Sequence, residues 1–352
     1  MAAYPFLTDA FLGALADTGA VGADSGWRDL SWHEDGGLLP LYARSDSRGE
    51  FVFDQRWAMA YHQHGVRYYP RLLTAIPFTP VTGPRWRLPA GRDAAEWLWP
   101  RLREQVAAQR ASSWHLLFPD DEARAALAPL PLTARQACHF RWFNRGYQSF
   151  DDFLAALMSR KRKTLRKERA RVAEQGITVR RAAGQAIPEH WWEAFYGCYA
   201  RTYLVRGQRP YLTPAFFQAL ADRLGDQLML AAALPGASAE VPPLAMALYL
   251  FDDECLYGRY WGAQRDLDGL HFELCYYQGI EFAIEHGLAA FDPGVQGEHK
   301  LLRGFEPVIT WSLHWHADPR FHDAIGRFCQ AEAEAVQAYR EEALNYLPYR
   351  RG

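Results

Sequence analysis

Three apolar runs, Leu228 to Leu234, Leu244 to Phe251 and Cys255 to Ala263, succeed one another almost without a break. Only Asp252, Asp253 and Glu254 separate the last two, the signature of a tight hairpin turn, while the stretch PGASAEVPP joins the first two. Runs connected this closely pair antiparallel, so the sequence commits this part of the chain to a sheet. The remainder of the chain alternates in kind: a helix from His271 to His286, a strand around Ala289 to Phe291, a short helix from Glu298 to Arg303, a strand from Val308 to His316, and a terminal helix from Pro319 to about Leu347. The block from Tyr257 to Thr310 thus collects strand ends and helix starts, where an α/β fold exposes oriented backbone donors.

The first half of the chain has the same style. Thr8 caps a helix over Asp9 to Asp17, LLPLYAR at Leu38 to Arg44 reads as a strand, and DQRWAMAYHQHG reads as a helix ending at Gly65. The proline and glycine density after Tyr69 predicts loop through Phe78 and PVTGPRW. A helix over Asp93 to Arg110 carries Pro100, Trp114 to Phe118 is a short buried strand, Asp120 to Leu127 a helix, and Ala137 to Asn144 alternates as a half-buried strand does. Ser149 then opens the clearest helix, which runs to Gly176 with Asp151 and Asp152 in its first turn. Leu154, Leu157, Met158, Leu165 and Val172 form its apolar stripe, and Arg160, Lys161, Arg162, Lys163, Arg166, Lys167, Arg169 and Arg171 cover the rest. A strand at Ile177 to Arg181 and helices at Pro188 to Arg206 and Pro214 to Leu224 lead into the three runs.

A chain of 352 residues exceeds one ordinary core, so two units are expected, 1–148 and 149–352, with the basic helix 149–176 connecting them. The net charge of −2 gives no global attraction to nucleic acid or anionic membrane, which leaves the Arg160 to Arg171 patch as the local exception. No apolar run approaches the roughly 20 residues that span a bilayer, no basic leader precedes an apolar core, and the five cysteines are odd in number and widely spaced. These features predict a cytoplasmic protein with reduced thiols. The pairs His62 with His64 and His314 with His316 lack further ligands at metal-binding spacing, so no metal is expected.

Six stretches resemble one family: YHQHGVRYYPRLLTAIPFTPVTGPR from Tyr61, SRKRKTLRKER from Ser159, FYGCYARTYLVRGQRPYLTPAFF from Phe195, GRYWGA from Gly258, HFELCYYQGIEFAIEHGL from His271, and FDPGVQGEHKLLRGFEPVITWSLHW from Phe291. Together with the order of elements they resemble the FemAB-like predicted N-acyltransferases of the GNAT superfamily, described as peptidoglycan biosynthesis proteins. The resemblance implies an α/β (α+β) fold of two GNAT-like units, mixed sheets flanked by helices. It implies an enzyme that transfers an acyl or aminoacyl group to an amine, with aminoacyl-tRNA or acyl-CoA as cosubstrate and no tightly bound cofactor. It also offers a tRNA contact through the Arg160 to Arg171 helix. The match departs from coenzyme A enzymes at one point: where they carry a Q/R-x-x-G-x-G/A pyrophosphate loop, this chain has AQRDLDGLHFEL with Gly269 alone.

Amide formation needs a base for the amine proton, donors for the oxyanion and a groove that aligns two substrates. Glu298, Glu273, His299 and Lys300 are the catalytic candidates, with Glu298 or Glu273 as base and Lys300 or Arg303 as the cation for a carboxylate, phosphate or oxyanion. Arg259 and Trp261 share one face of their strand by alternation, opposite Tyr260, and can clamp an anionic or planar group. His271, Tyr277 and Gln296 complete the candidate groove, and Tyr203 with Arg206 offers a second anion site at a helix exit. The competing class is a non-catalytic Fem-like module that binds RNA or a glycan-peptide through the basic helix and the aromatic groove.

Overall fold

The computed structural model describes residues 3–350 apart from 237, 239, 240 and 296. The chain forms two compact units, one made of Met1–Ala14, His139–Val308 and Glu342–Gly352, the other of Leu15–Cys138 and Ile309–Glu341. The expected division fell once, between 148 and 149. In the structure the units alternate along the chain, because the strand Glu306–His316 and the helix Pro319–Leu344 return residues 309–341 to the unit built by the first part of the chain.

In the unit centred on 139–308 the sheet runs in the spatial order Ile177–Ala183, Leu228–Pro235, Ala245–Phe251, Cys255–Ala263, Ala290–Asp292. The first four pair antiparallel, and Cys255–Ala263 pairs parallel with Ala290–Asp292. Leu228 to Leu234 and Ala245 to Leu250 are buried at every position, which is why these strands read as continuous apolar runs: both faces are covered. The helix His190–Leu204 covers one face so closely that a methyl group on Gly262 would stand 1.9 Å from the carbonyl oxygen of Cys198.

In the other unit the strand order is Trp27–Asp29, Tyr42–Arg44, Arg71–Thr74, Ser113–Leu117 and then Glu306–His316. Here too all pairs are antiparallel but one, Arg71–Thr74 with Ser113–Leu117. Mixed strand pairing flanked by helices therefore occurs in each unit, as the resemblance implied. Within this second interior His314 and His316 lie on one side of their strand, as alternation requires, and both are buried; His314 Nδ1 stands 2.6 Å from His115 Nδ1 and His316 Nδ1 2.8 Å from the Tyr61 hydroxyl. Arg44, Glu50, Arg71 and Asp54 form a buried ion network beside them, with Arg44 Nε donating to Glu50 at 2.7 Å and Arg71 3.0 Å from Asp54.

Three sequence expectations are corrected here. The stretch after Tyr69 is not all loop, since Arg71–Thr74 is a fully buried strand paired on both edges; the flanking prolines end it without entering it. LLPLYAR is two strands, Gly37–Leu39 and Tyr42–Arg44, broken around Pro40, which has no N–H to donate to a ladder. The long basic helix is also two, Phe150–Ala156 and Ser159–Glu174. Leu157 and Met158 are extended between them, and Met158 N donates to Pro348 O at 2.8 Å, so the C-terminal segment takes a bond that a continuous helix would have made internally.

Candidate active site

The parallel ladder between Cys255–Ala263 and Ala290–Asp292 is three pairs long and ends at Tyr257 opposite Asp292. Pro293 and Gly294 turn the second strand away at that point. From Gly258 to Ala263 the first strand keeps its antiparallel neighbour, while no strand pairs its other edge among the described residues. A register shift at Leu248 and Tyr249 makes Arg259 the extra residue of a bulge. The bulge breaks the alternation, and with it the expected pairing of Arg259 with Trp261. Arg259 lies with Tyr260 and Phe6, its guanidinium carbon 5.2 and 5.8 Å from their ring centroids, whereas Trp261 meets His271 edge to face at 4.9 Å.

The helix expected over His271 to His286 changes pitch inside. Leu270–Phe272 is α-helical, Glu273–Tyr277 is a π-helical turn, and Gln278–Glu285 resumes the α-helix. A π turn brings residues five apart into register, which an i, i+4 reading of the sequence cannot foresee. Hence Glu273 meets Gln278, whose Nε2 donates to it at 2.7 Å. Arg169, on the basic helix, binds the same carboxylate with both Nε and Nη2 at 3.1 and 3.0 Å and reaches Glu281 at 2.6 Å. Glu273 is 3% exposed and already accepts three donors, so its geometry is that of an anchor between two helices.

The π turn presents Tyr276 and Tyr277 to different partners. Tyr276 Oη lies 2.7 Å from His299 Nε2, and the His271 ring is edge-on to both, 5.4 Å from Tyr276 and 6.0 Å from His299. Tyr277 Oη donates to Glu168 and receives Nε of Arg303 at 3.1 Å. Arg303 closes this triangle with both Glu168 oxygens at 2.9 Å and lies flat over Phe272, 3.5 Å from its centroid. The expected anion-binding guanidinium is thus occupied by an internal carboxylate, and its rigid plane forms one wall beside the histidines, Phe272 being 5.4 Å from His299.

Burial, with His299, Lys300 and Arg303 nearby, pushes His271 down to about 4. Burial, Arg303 and Lys300 lower His299 in the same direction. Both imidazoles are therefore neutral at pH 7, while burial raises Tyr276 and keeps it a phenol. Two neutral imidazoles and a phenol beside an unpaired strand edge can accept, hold and return a proton.

Lys300 is 1% exposed and its ammonium donates to Gly294 O. Burial lowers it to about 8, opposed by Asp292 and Cys275. Between about pH 8 and its ordinary 10.5 the unfolded chain binds the proton that the folded chain has released, so Lys300 makes stability rise with pH across that window and costs stability below it. Lys300→Met is expected to stabilise the protein by about 1–2 kcal/mol at pH 7, less than the full shift because the bond to Gly294 is lost. Urea denaturation from pH 7 to 10.5 checks this as a gap between variant and parent that closes as pH rises.

Other candidates stand apart. Glu298 is exposed at the start of the 3₁₀ turn Glu298–Arg303, and Gln296 lies outside the described residues. Tyr203 packs in an aromatic cluster with Tyr199 and Tyr211 at 5.1 and 5.4 Å. Arg206 is exposed and bonds Thr202 O at 2.8 Å, a helix C-terminal contact. The structure gathers Trp261, His271, His299, Tyr277 and Arg303, and joins to them Tyr276, Phe272 and Glu168, which were not among the candidate site residues. No helix of the described residues is long and apolar enough to cross a membrane, and none of their His, Cys, Asp and Glu side chains form a group of three able to hold a metal.

The profile of a family described as FemAB_like, peptidoglycan biosynthesis/recognition, matches residues 1–351. Among solved structures, L-PGS from Bacillus licheniformis superposes with a TM-score of 0.52 at 12% identity, covering 90% of this chain and 95% of that one. FemX gives a TM-score of 0.51 at 11% identity, covering 92% and 95%. A conserved protein of unknown function from Bacteroides thetaiotaomicron gives 0.50 at 12% identity, covering 88% and 89%. At these identities the likeness is one of fold. No curated protein matches the sequence.

Proposed function

The chain belongs to the FemAB_like family, and on that premise we propose that it is an aminoacyl or acyl transferase forming an amide on an amine acceptor, with proton transfer at His271, Tyr276 and His299. One observation carries this reading: the 2.7 Å contact of His299 with Tyr276 beside the strand edge at Gly258 to Ala263. In the tautomer with its proton on Nε2, His299 donates to Tyr276 Oη and leaves Nδ1 as the acceptor. The amine nitrogen attacks the carbonyl carbon of the donor ester, the C–N bond forms, and its proton passes to Nδ1. Collapse of the tetrahedral intermediate breaks the ester C–O bond, and the imidazolium returns the proton to the departing oxygen. Backbone N–H groups at the strand edge supply donors for the oxyanion. His271 and the Arg303–Phe272 wall pack against the His299 ring and fix its position.

The stretch between Gln264 and Gly269 bears on the donor. Its charged side chains are Arg265, Asp266 and Asp268, the last paired with Arg171, and Gly269 is its single glycine, so it lacks the glycine-spaced backbone donors that hold a pyrophosphate. These features favour an aminoacyl ester over acyl-CoA. The family description favours an amine on a peptidoglycan-precursor peptide as acceptor. The test is to incubate the purified protein with charged tRNA or acyl-CoA and amine-bearing peptides, and to look for amide product by mass spectrometry. Product with the charged tRNA is expected; product with acyl-CoA alone would reverse the donor assignment, and product with neither would remove the reading.

A further inference from the structure

The basic helix Ser159–Glu174 has two faces with different tasks. Leu165 and Val172 are buried, and Glu168 and Arg169 turn inward to Arg303 and Glu273. On the opposite side Arg160, Lys163, Lys167 and Arg171 recur at intervals of three and four residues, a single stripe along the axis. Arg166 pairs with Asp151 and Arg171 with Asp268, but Arg160, Lys161, Arg162, Lys163 and Lys167 have no carboxylate within 4.0 Å among the described residues. The first turn contains no acidic residue and no side-chain cap, so four successive cations sit at the end of the helix where the backbone dipole is least favourable to them. A local rule broken this way indicates a partner that supplies negative charge.

The surroundings say which kind. Met158 immediately precedes the stripe and is 38% exposed. Its N–H is bonded to Pro348 O, which brings the C-terminal turn alongside, where Tyr346 is 56% and Leu344 37% exposed. Arg350, bonded through its own N–H to Ala156 O and through Nε to Leu157 O at 3.3 Å, adds a cation at that junction. A nucleic acid uses the cations and can stack a base on the tyrosine ring, but it has no apolar phase for exposed methionine and leucine side chains. The interface of a bilayer takes all of them: anionic headgroups for the stripe, the acyl boundary for Met158 and Leu344, and the headgroup level for the tyrosine ring. We propose that the outward face of Ser159–Glu174, with Met158 and the Leu344–Tyr346 turn, docks the protein on an anionic lipid bilayer.

This surface is independent of the reaction proposed above and is read without turnover, so failure of either leaves the other standing. The test is co-sedimentation of the full chain with vesicles of phosphatidylcholine alone or with one third phosphatidylglycerol. Binding to the anionic vesicles is expected to exceed binding to the neutral ones by about tenfold or more and to fall as salt is raised. Arg160→Gln, Lys163→Gln and Lys167→Gln together are expected to remove that excess. Met158→Ser with Tyr346→Ser is expected to weaken vesicle binding about fivefold while leaving binding to a single-stranded RNA unchanged. Far-UV circular dichroism confirms that each variant is folded. Equal binding to both vesicles, indifference to the apolar pair, or RNA binding without vesicle binding would each overturn the proposal, the last in favour of a nucleic-acid face.

Discussion

His299→Gln is expected to lower kcat for amide formation by about 10²–10⁴-fold, the range associated with loss of a positioned general base. Glutamine keeps a polar side chain next to Tyr276 but cannot take up a proton, so the loss should fall on kcat with little change in KM. Tyr276→Phe removes the hydroxyl that fixes the His299 tautomer at 2.7 Å and is expected to cost about tenfold at every pH on the plateau, since the two neutral tautomers bind the same number of protons. The rival bases give a different pattern. If Glu298→Gln abolishes kcat while His299→Gln retains it, the proton goes to the exposed carboxylate and the histidine cluster is structural.

The second large effect concerns the fold. Gly262→Ala places a methyl group 1.9 Å from the Cys198 carbonyl oxygen, 2.2 Å from its carbon and 2.7 Å from Tyr199 N, all of them backbone atoms of the helix His190–Leu204. Nothing there can swing aside as a side chain would, so helix and strand must separate along their whole contact. A destabilisation of about 3 kcal/mol or more is expected, at the upper end for overpacking. Gly258→Ala is the control on the same strand. Its added methyl meets the Phe291 ring at 3.3 Å and Pro293 Cα at 3.4 Å, contacts that small shifts relieve, and about 1 kcal/mol is expected. Urea denaturation of both variants checks the pair, and a Gly262→Ala protein as stable as the parent would mean that helix and strand are not held this close.

Much of this architecture was legible because burial on both faces leaves an unmistakable mark. The strands from Leu228 to Ala263 could be drawn within a residue or two, and the helix Asp9–Asp17 and the helix Pro214–Leu224 agree at both ends. Arg71–Thr74 was hidden because its four residues sit among prolines, and local composition outvoted a strand that only tertiary pairing reveals. The break at Leu157 and Met158 was hidden for a similar reason: its cause, Pro348, lies almost two hundred residues away in the sequence.

The site was legible in its parts and not in its grouping. His271, His299, Tyr277 and Arg303 were selected as polar residues at element ends, and they do share one neighbourhood. Their roles depend on the π turn at Glu273–Tyr277, which redirects Glu273 to Arg169 and Gln278 and frees Tyr276 to meet His299. A sequence read at 3.6 residues per turn has no means of showing that insertion. Likewise Arg169 stood in the sequence as one of eight cations beside the apolar stripe, and only the packed helix shows that it and Glu168 point inward.

The central claim, that a neutral imidazole accepts the amine proton, is tested most directly by the pH dependence of kcat at saturating donor and acceptor. His299 is lowered from its ordinary 6.5, so kcat should rise through one ionisation below that value and stay level through pH 8. His299→Gln should lose both the rate and the limb. A parent profile that instead rises through about 8, where Lys300 titrates, would contradict the assignment and move the base to that lysine.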